Sequence, residues 1–269
     1  MLQRLGVAAM RALAERGARV GWASTPAGGV RYAVRGPEGA RPLLLVHGLG
    51  DSLAGWAQVV APLARTYRVH LIDLPGHGLS HRPPDWRLQT LAGAVAHYAR
   101  ELREPVLVGH SLGGWIALRL VLTGTVRPAS LTLVNPAGAL LAREQWAPFR
   151  ELVSARDRKG VARYLERAFH RAPFGLRLFP SEVIKAMWAE SSQGILDAVG
   201  ESDFLREVEL ASLETPLRLI WGERDRLLPE GTLEFFRRAL PRAMVILLPN
   251  TGHLPHLESA RALVDALLA

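Results

Sequence analysis

The chain has 269 residues, 49% of them hydrophobic and 22% charged, which excludes a disordered or fibrous protein and suits a globular fold with a sizeable core. It contains no cysteine, so disulfides, thiolate metal sites and a cysteine nucleophile are excluded together. The net charge of +8 comes almost wholly from arginines scattered among acids, with Lys159 and Lys185 the only lysines, which reads as solvated surface and implies no nucleic-acid partner.

At the start, Leu2, Leu5, Ala9, Ala12 and Leu13 recur at helical spacing, interrupted by Arg4, Arg11, Glu15, Arg16 and Arg19. Arg11 leaves the apolar run too short for a signal-peptide core, and no small-residue cleavage site follows. The expected structure is an amphipathic helix packed on the protein body, the alternative being contact with a membrane surface. No stretch has the length of a transmembrane span, and the cytoplasm is the expected location.

From Gly29 to Arg35 apolar and polar residues alternate, reading as an antiparallel edge strand closed by Gly36 and Pro37. The continuous run Leu43 to Val46 is that of a strand buried on both faces. Similar short runs follow at Val69 to Ile72, Pro105 to Val108, Leu131 to Val134, Leu217 to Trp221 and Val245 to Leu248. Helix-like segments separate most of them, including Trp86 to Leu102, Leu112 to Leu122 and Leu233 to Leu240. The pattern predicts an α/β fold with a mostly parallel central sheet flanked by helices. The alternation fails between Pro136 and Leu213, where helix formers mix with Trp146, Phe149, Tyr164, Phe169, Met187, Trp188 and Phe204. This divides the chain into core residues 1–135, a helical insertion at 136–213 and core residues 214–269.

Gly109-His110-Ser111-Leu112-Gly113 lies between a buried strand and a helix, the context in which a G-x-S-x-G sequence holds a nucleophilic serine on a tight turn. The helix N-terminus favours negative charge developing beside Ser111. A serine hydroxyl needs a base. His253 sits on the loop after the last strand-like run, with His256 as its nearest competitor. An acid is expected at a strand end between serine and histidine. Glu223 and Asp225 both qualify, and Asp225 is favoured as lying further into the loop. After the strand at Leu43, His47-Gly48-Leu49-Gly50 brings backbone close to a reacting carbonyl. The amides of Leu49 and Leu112 are candidate oxyanion donors, typically worth about 3 kcal/mol each. No His/Asp/Glu cluster has ligand spacing on one element, so neither a metal nor an organic cofactor is expected.

These motifs, together with Asp73 to Ser80, Trp221 to Asp225 and Gly252-His253, resemble the α/β-hydrolase superfamily in order and spacing from about Gly29 onward. The resemblance implies a Ser111, Asp225, His253 triad, an oxyanion hole at Leu49 and Leu112, and a cap over the site at 136–213. Asp73 to Ser80 resembles a structural turn. Within the superfamily, serine at position 111 argues against the dehalogenases and epoxide hydrolases, which carry aspartate there. The His-Ser-Leu-Gly-Gly form is similar to esterases and monoacylglycerol lipases. The reading is hydrolysis of a carboxylic ester with an apolar acyl group, small enough to lie under cap residues such as Trp146, Phe149, Met187 and Trp188. Two alternatives stay open: a carbon–carbon bond hydrolase acting on a vinylogous diketone acid held by Arg143, Arg163, Arg167 or Arg171, and a catalytically silent small-molecule-binding homologue.

Overall fold

The computed structural model describes residues 2–154, 157–172 and 189–269, with side chains from residue 7 onward. Its centre is an eight-stranded sheet ordered β1-β2-β4-β3-β5-β6-β7-β8. The strands are β1 (Arg19–Thr25), β2 (Gly28–Arg35), β3 (Pro42–Val46), β4 (Arg68–Ile72), β5 (Val106–His110), β6 (Ser130–Val134), β7 (Leu217–Gly222) and β8 (Met244–Leu248). β4 to β8 and β3 pair in parallel, while β1 and β2 join antiparallel at one side.

The helices are α1 (Leu2–Glu15), α2 (Ala57–Leu63), α3 (Leu88–Ala99), α4 (Leu112–Leu122), α5 (Arg143–Ser154), α6 (Arg158–Ala168), α7 (Glu190–Ala198), α8 (Glu207–Leu210), α9 (Thr232–Ala239), α10 (Pro255–Glu258) and α11 (Ala260–Leu268). One face of the sheet buries Leu44, Val46, Leu107, Leu131 and Leu133 against α3, α4 and α9. The other buries Leu43, Leu45, Val69, Val106 and Val108 against α1, α2 and α11. Covering on both faces explains why β3 and β5 are continuous apolar runs. The chain runs from β3 outward to β4 and then returns to place β5 on the other side of β3. That reversal opens a crevice beyond the carboxyl ends of β3 and β5, where parallel sheets of this kind bind ligands.

One expectation needs correction. Gly29 to Arg35 is not an edge strand: β2 lies between β1 and β4, and β1 forms the edge. β1 escaped the sequence reading because its more exposed face carries the apolar Val20 and Trp22 while its other face begins with Arg19 and Gly21, so the apolar alternation is lost. The first helix does pack on the body. Its Ala14 is fully buried, and Arg11 reaches the buried Asp73 carboxylate at 3.1 Å while bridging to Glu15. Asp73 also accepts the Leu53 and Leu79 amides, at 2.7 and 2.8 Å, so the turn after β4 ties α1 to the crevice floor. Among the described residues no helix is long and apolar enough to cross a membrane.

Between β6 and β7 the chain leaves the sheet for α5, α6, α7 and α8. Its far end is pinned to α4, where Arg119 donates to the carbonyls of Ser202, Asp203 and Phe204 and Trp115 donates to that of Asp203. α5 and α6 share a small apolar cluster with Leu227, Leu254 and Leu257 of the core.

Candidate active site

Ser111 stands between β5 and α4 with φ 50° and ψ −115°, a conformation L-residues rarely adopt. Such strain costs on the order of 1–3 kcal/mol and persists only where the surroundings enforce it. Here the enforcement is close packing. A methyl group on Gly109 would sit 2.6 Å from the Gly114 Cα, and one on Gly113 2.6 Å from the His47 carbonyl. The Ser111 amide is held by the Val134 carbonyl at 3.0 Å, so the turn is fixed from the neighbouring strand as well.

His253 is buried on the loop after β8, and its Nδ1 lies 2.8 Å from Asp225 Oδ2. Glu223, the competing acid, is exposed to solvent. Asp225 accepts three further donors: Asn135 Nδ2 at 2.6 Å and the amides of Leu227 and Leu228 at 2.9 and 3.3 Å. Burial acts strongly to raise its carboxyl. The charge of His253, the bonds from His253 and Asn135, and the Leu227 amide outweigh it, and the carboxyl lies below the usual range. An ionised acid at this position requires the proton on Nδ1 of His253, leaving Nε2 as the free base.

His110, the residue before Ser111, ties the serine turn to this base. Its Nε2–H donates to the His253 carbonyl at 2.8 Å, and the two rings lie 4.9 Å apart. Burial, with like charges from His256 and His253 adding to it, holds His110 well below the ordinary histidine range and hence neutral. On the other side of the crevice His47 accepts the Leu74 amide at Nε2, so its Nδ1–H donates to the Gly48 carbonyl at 2.8 Å. That bond orients the loop carrying Leu49. Among the described residues neither the Leu49 nor the Leu112 amide donates to a backbone carbonyl of a turn or loop. His256 is fully buried, bonds Asp51 at 3.1 Å, and packs between the rings of Trp56 and His110. Asp51, His110 and His256 have donor atoms within 4.8 Å of one another. Within that group Asp51 and His256 are already hydrogen-bonded to each other.

The residues expected to line an acyl site divide. Trp146 and Phe149 stack edge to face at 5.6 Å, and Trp146 continues through Phe204 to Trp115 of α4. Met187 and Trp188 lie outside the described residues. A cavity of about 1030 Å³ opens beside the acid loop, lined by Phe149, Trp221, Asp225 and Leu228 together with Arg163 and Arg167. Ser111 and His253 are not among its described walls.

Sequence reasoning missed Asn135 and Tyr164. Asn135 ends β6 at φ 43°, donates to Asp225, and accepts the Gly222 amide at 3.2 Å. An asparagine directly after a buried strand, at the same sheet end as Ser111, was the available signal. Burial raises the Tyr164 hydroxyl of α6 above its ordinary value, and the charges of Asp51 and Asp225 act in the same direction. No sequence signal separated it from the other aromatics of the insertion.

A sequence model of the alpha/beta hydrolase family matches residues 43–266. The chain is 32% identical over 242 residues to the dihydrolipoyllysine-residue acetyltransferase component of an acetoin cleaving system from Cupriavidus necator, covering 86% of this chain and 63% of that protein. It is 28% identical over 258 residues to a pimeloyl-[acyl-carrier protein] methyl ester esterase from Aeromonas hydrophila, covering 86% and 94%. It thus spans under two thirds of the acetoin-system relative and nearly all of the esterase. Among solved structures it is similar to a bacterial membrane phospholipase A, with TM-score 0.85 and 26% identity over 99% of this chain and 90% of that one.

Proposed function

This chain belongs to the alpha/beta hydrolase family, and on that premise we propose that it cleaves carboxylic esters of apolar acyl groups through an acyl-enzyme on Ser111. Esterase relatives covered over nearly their whole length support a hydrolase. The finer reading is carried by one observation: the Nδ1 of His253 meets the ionised Asp225 at 2.8 Å on a loop whose carbonyl is bonded by His110, the neighbour of the strained Ser111.

In this reading Ser111 Oγ attacks the ester carbonyl while its proton passes to Nε2 of His253. Asp225 keeps the Nδ1 proton bound and stabilises the imidazolium. The amides of Leu49 and Leu112 receive the oxyanion. The intermediate collapses, and the leaving alkoxide takes the proton from His253. Water, deprotonated by the same nitrogen, then releases the carboxylic acid and restores Ser111. Residues 136–213 act as a cap, and their apolar side chains favour longer acyl groups, since each buried methylene contributes about 0.8 kcal/mol.

The carbon–carbon alternative needs a cation facing the substrate carboxylate. Arg163 and Arg167 share their cavity wall with Glu166, Glu223 and Glu230, and Arg143 and Arg171 are exposed, so the described residues favour the ester. The deciding experiment measures kcat/KM for p-nitrophenyl esters from acetate to dodecanoate, and for a vinylogous diketone acid, on one preparation. Medium-chain esters are expected to exceed acetate. Strong cleavage of the diketone acid with trace esterase activity would overturn the reading.

A further inference from the structure

The loop carrying His253 meets the β6–β7 insertion through backbone groups. Ala168, the last residue of α6, accepts the His253 N–H at 2.7 Å. Just beyond it, the N–H groups of His170 and Arg171 both turn to the Glu258 carboxylate, His170 to Oε2 at 3.2 Å and Arg171 to Oε1. The same Oε2 accepts the N–H of Gly252, immediately before His253, at 2.7 Å. The two segments touch so closely that a methyl group on Gly252 would lie 2.7 Å from the Phe169 Cα and 2.9 Å from the His170 nitrogen. Ala168 and Phe169 are buried in this contact.

The anchors of His253 therefore come from different parts of the molecule. Asp225 holds the ring and His110 holds the carbonyl, both from sheet ends. The amide end is held by the insertion, and Glu258 clamps the insertion to the residue before it. A single carboxylate serving three backbone donors from two segments does more than cap its own short helix, because charged acceptors make the stronger hydrogen bonds and enforce direction.

We infer that Glu258 is a positioning residue that couples the insertion to the base. Docking of residues 168–171 on its carboxylate sets where His253 stands relative to Ser111, so the base is in place when the insertion is seated. The inference deepens the esterase reading and rests on it for its kinetic arm.

The test compares wild type with Glu258→Gln, which sets an amide N–H₂ against backbone donors, and Glu258→Asp, which falls one methylene short. Labelling of Ser111 by a fluorophosphonate, turnover of a short p-nitrophenyl ester, and native-state amide exchange are measured on each. Both variants are expected to lose about tenfold or more in kcat and in labelling rate, with KM changed less than about threefold and circular dichroism unchanged. Exchange at His253, His170 and Arg171 is expected to quicken about tenfold while β5 stays protected. Folded variants with wild-type labelling, turnover and exchange would overturn the coupling. If wild type takes neither probe nor ester, the esterase reading falls, and the exchange arm alone decides the coupling. If neither variant folds, Glu258 is a general stability residue and the inference fails.

Discussion

The strand ends and the β6–β7 insertion bear on the same crevice but are held by different forces. β5 is buried along its whole length, and in β3 and β6 only the first residue is partly exposed. Side chains at their ends inherit positions from a close-packed interior that resists small displacements. Ser111 keeps an unfavourable backbone conformation on that account. Among the described residues of the insertion, α5 buries only Leu152 and Val153, has Pro148 within it, and leaves its arginines in solvent. Among the described residues its polar attachments run through Arg119, Gln145, Ala168 and Glu258. Segments held this way open locally at lower free energy than a core strand. In the proposed reading, chemistry that needs fixed geometry sits on the sheet, and substrate selection falls to the part that adjusts.

The sharpest way to break this comparison is Ser111→Ala. It should cost more than about a thousandfold in kcat while thermal unfolding is unchanged or slightly improved, because the strained residue has no structural duty that alanine lacks. More than a tenth of wild-type activity would remove Ser111 from the mechanism. Next in size, Asp225→Asn should lose on the order of a hundredfold or more in kcat through the wrong imidazole tautomer, whereas the exposed Glu223→Gln should change it less than about twofold. Equal losses in the two would mean that the pairing at His253 is not the working one.

A third expectation concerns β4 and the turn that follows it. Burial pushes His70 down to about 4 and His77 down to about 3, so both stay neutral in the folded protein where an unfolded histidine would take a proton. Their folded values are depressed, so their stability contribution is full above the unfolded value near 6.5 and is lost as pH falls toward 4. Urea unfolding at pH 7.5 and pH 5 should differ by about 2 kcal/mol for each of the two. His70→Asn and His77→Asn should flatten the curve; an unchanged pH dependence in both would contradict the burial argument. The smallest effect is expected in the insertion. Phe149→Ala should lower kcat/KM for octanoate esters by about fivefold, near 1 kcal/mol, with acetate esters unaffected. A uniform fall across chain lengths would place Phe149 in general support rather than selection.

The α/β class, the central strands and the glycine-flanked serine were legible because they depend on local rules: apolar runs bounded by turns, and a strand-to-helix turn that crowds out side chains at Gly109 and Gly113. The edge strand β1 was not legible, since an edge strand with a half-exposed face need not alternate. Within the candidate site, residue order pointed to Ser111, His253 and an acid near 225, with Asp225 favoured over Glu223. Folding turns Asp225 toward Asn135 and His253 and Glu223 toward solvent. The pairing of His256 with Asp51 and the reach of Glu258 to two other segments were beyond the sequence for the same reason. Each acts on a partner from another loop, and hydrogen bonds between distant segments leave no periodic trace in the chain. The sequence by itself determined which residues could react; the sheet order and the seating of residues 168–171 on Glu258 decided which of them stand together.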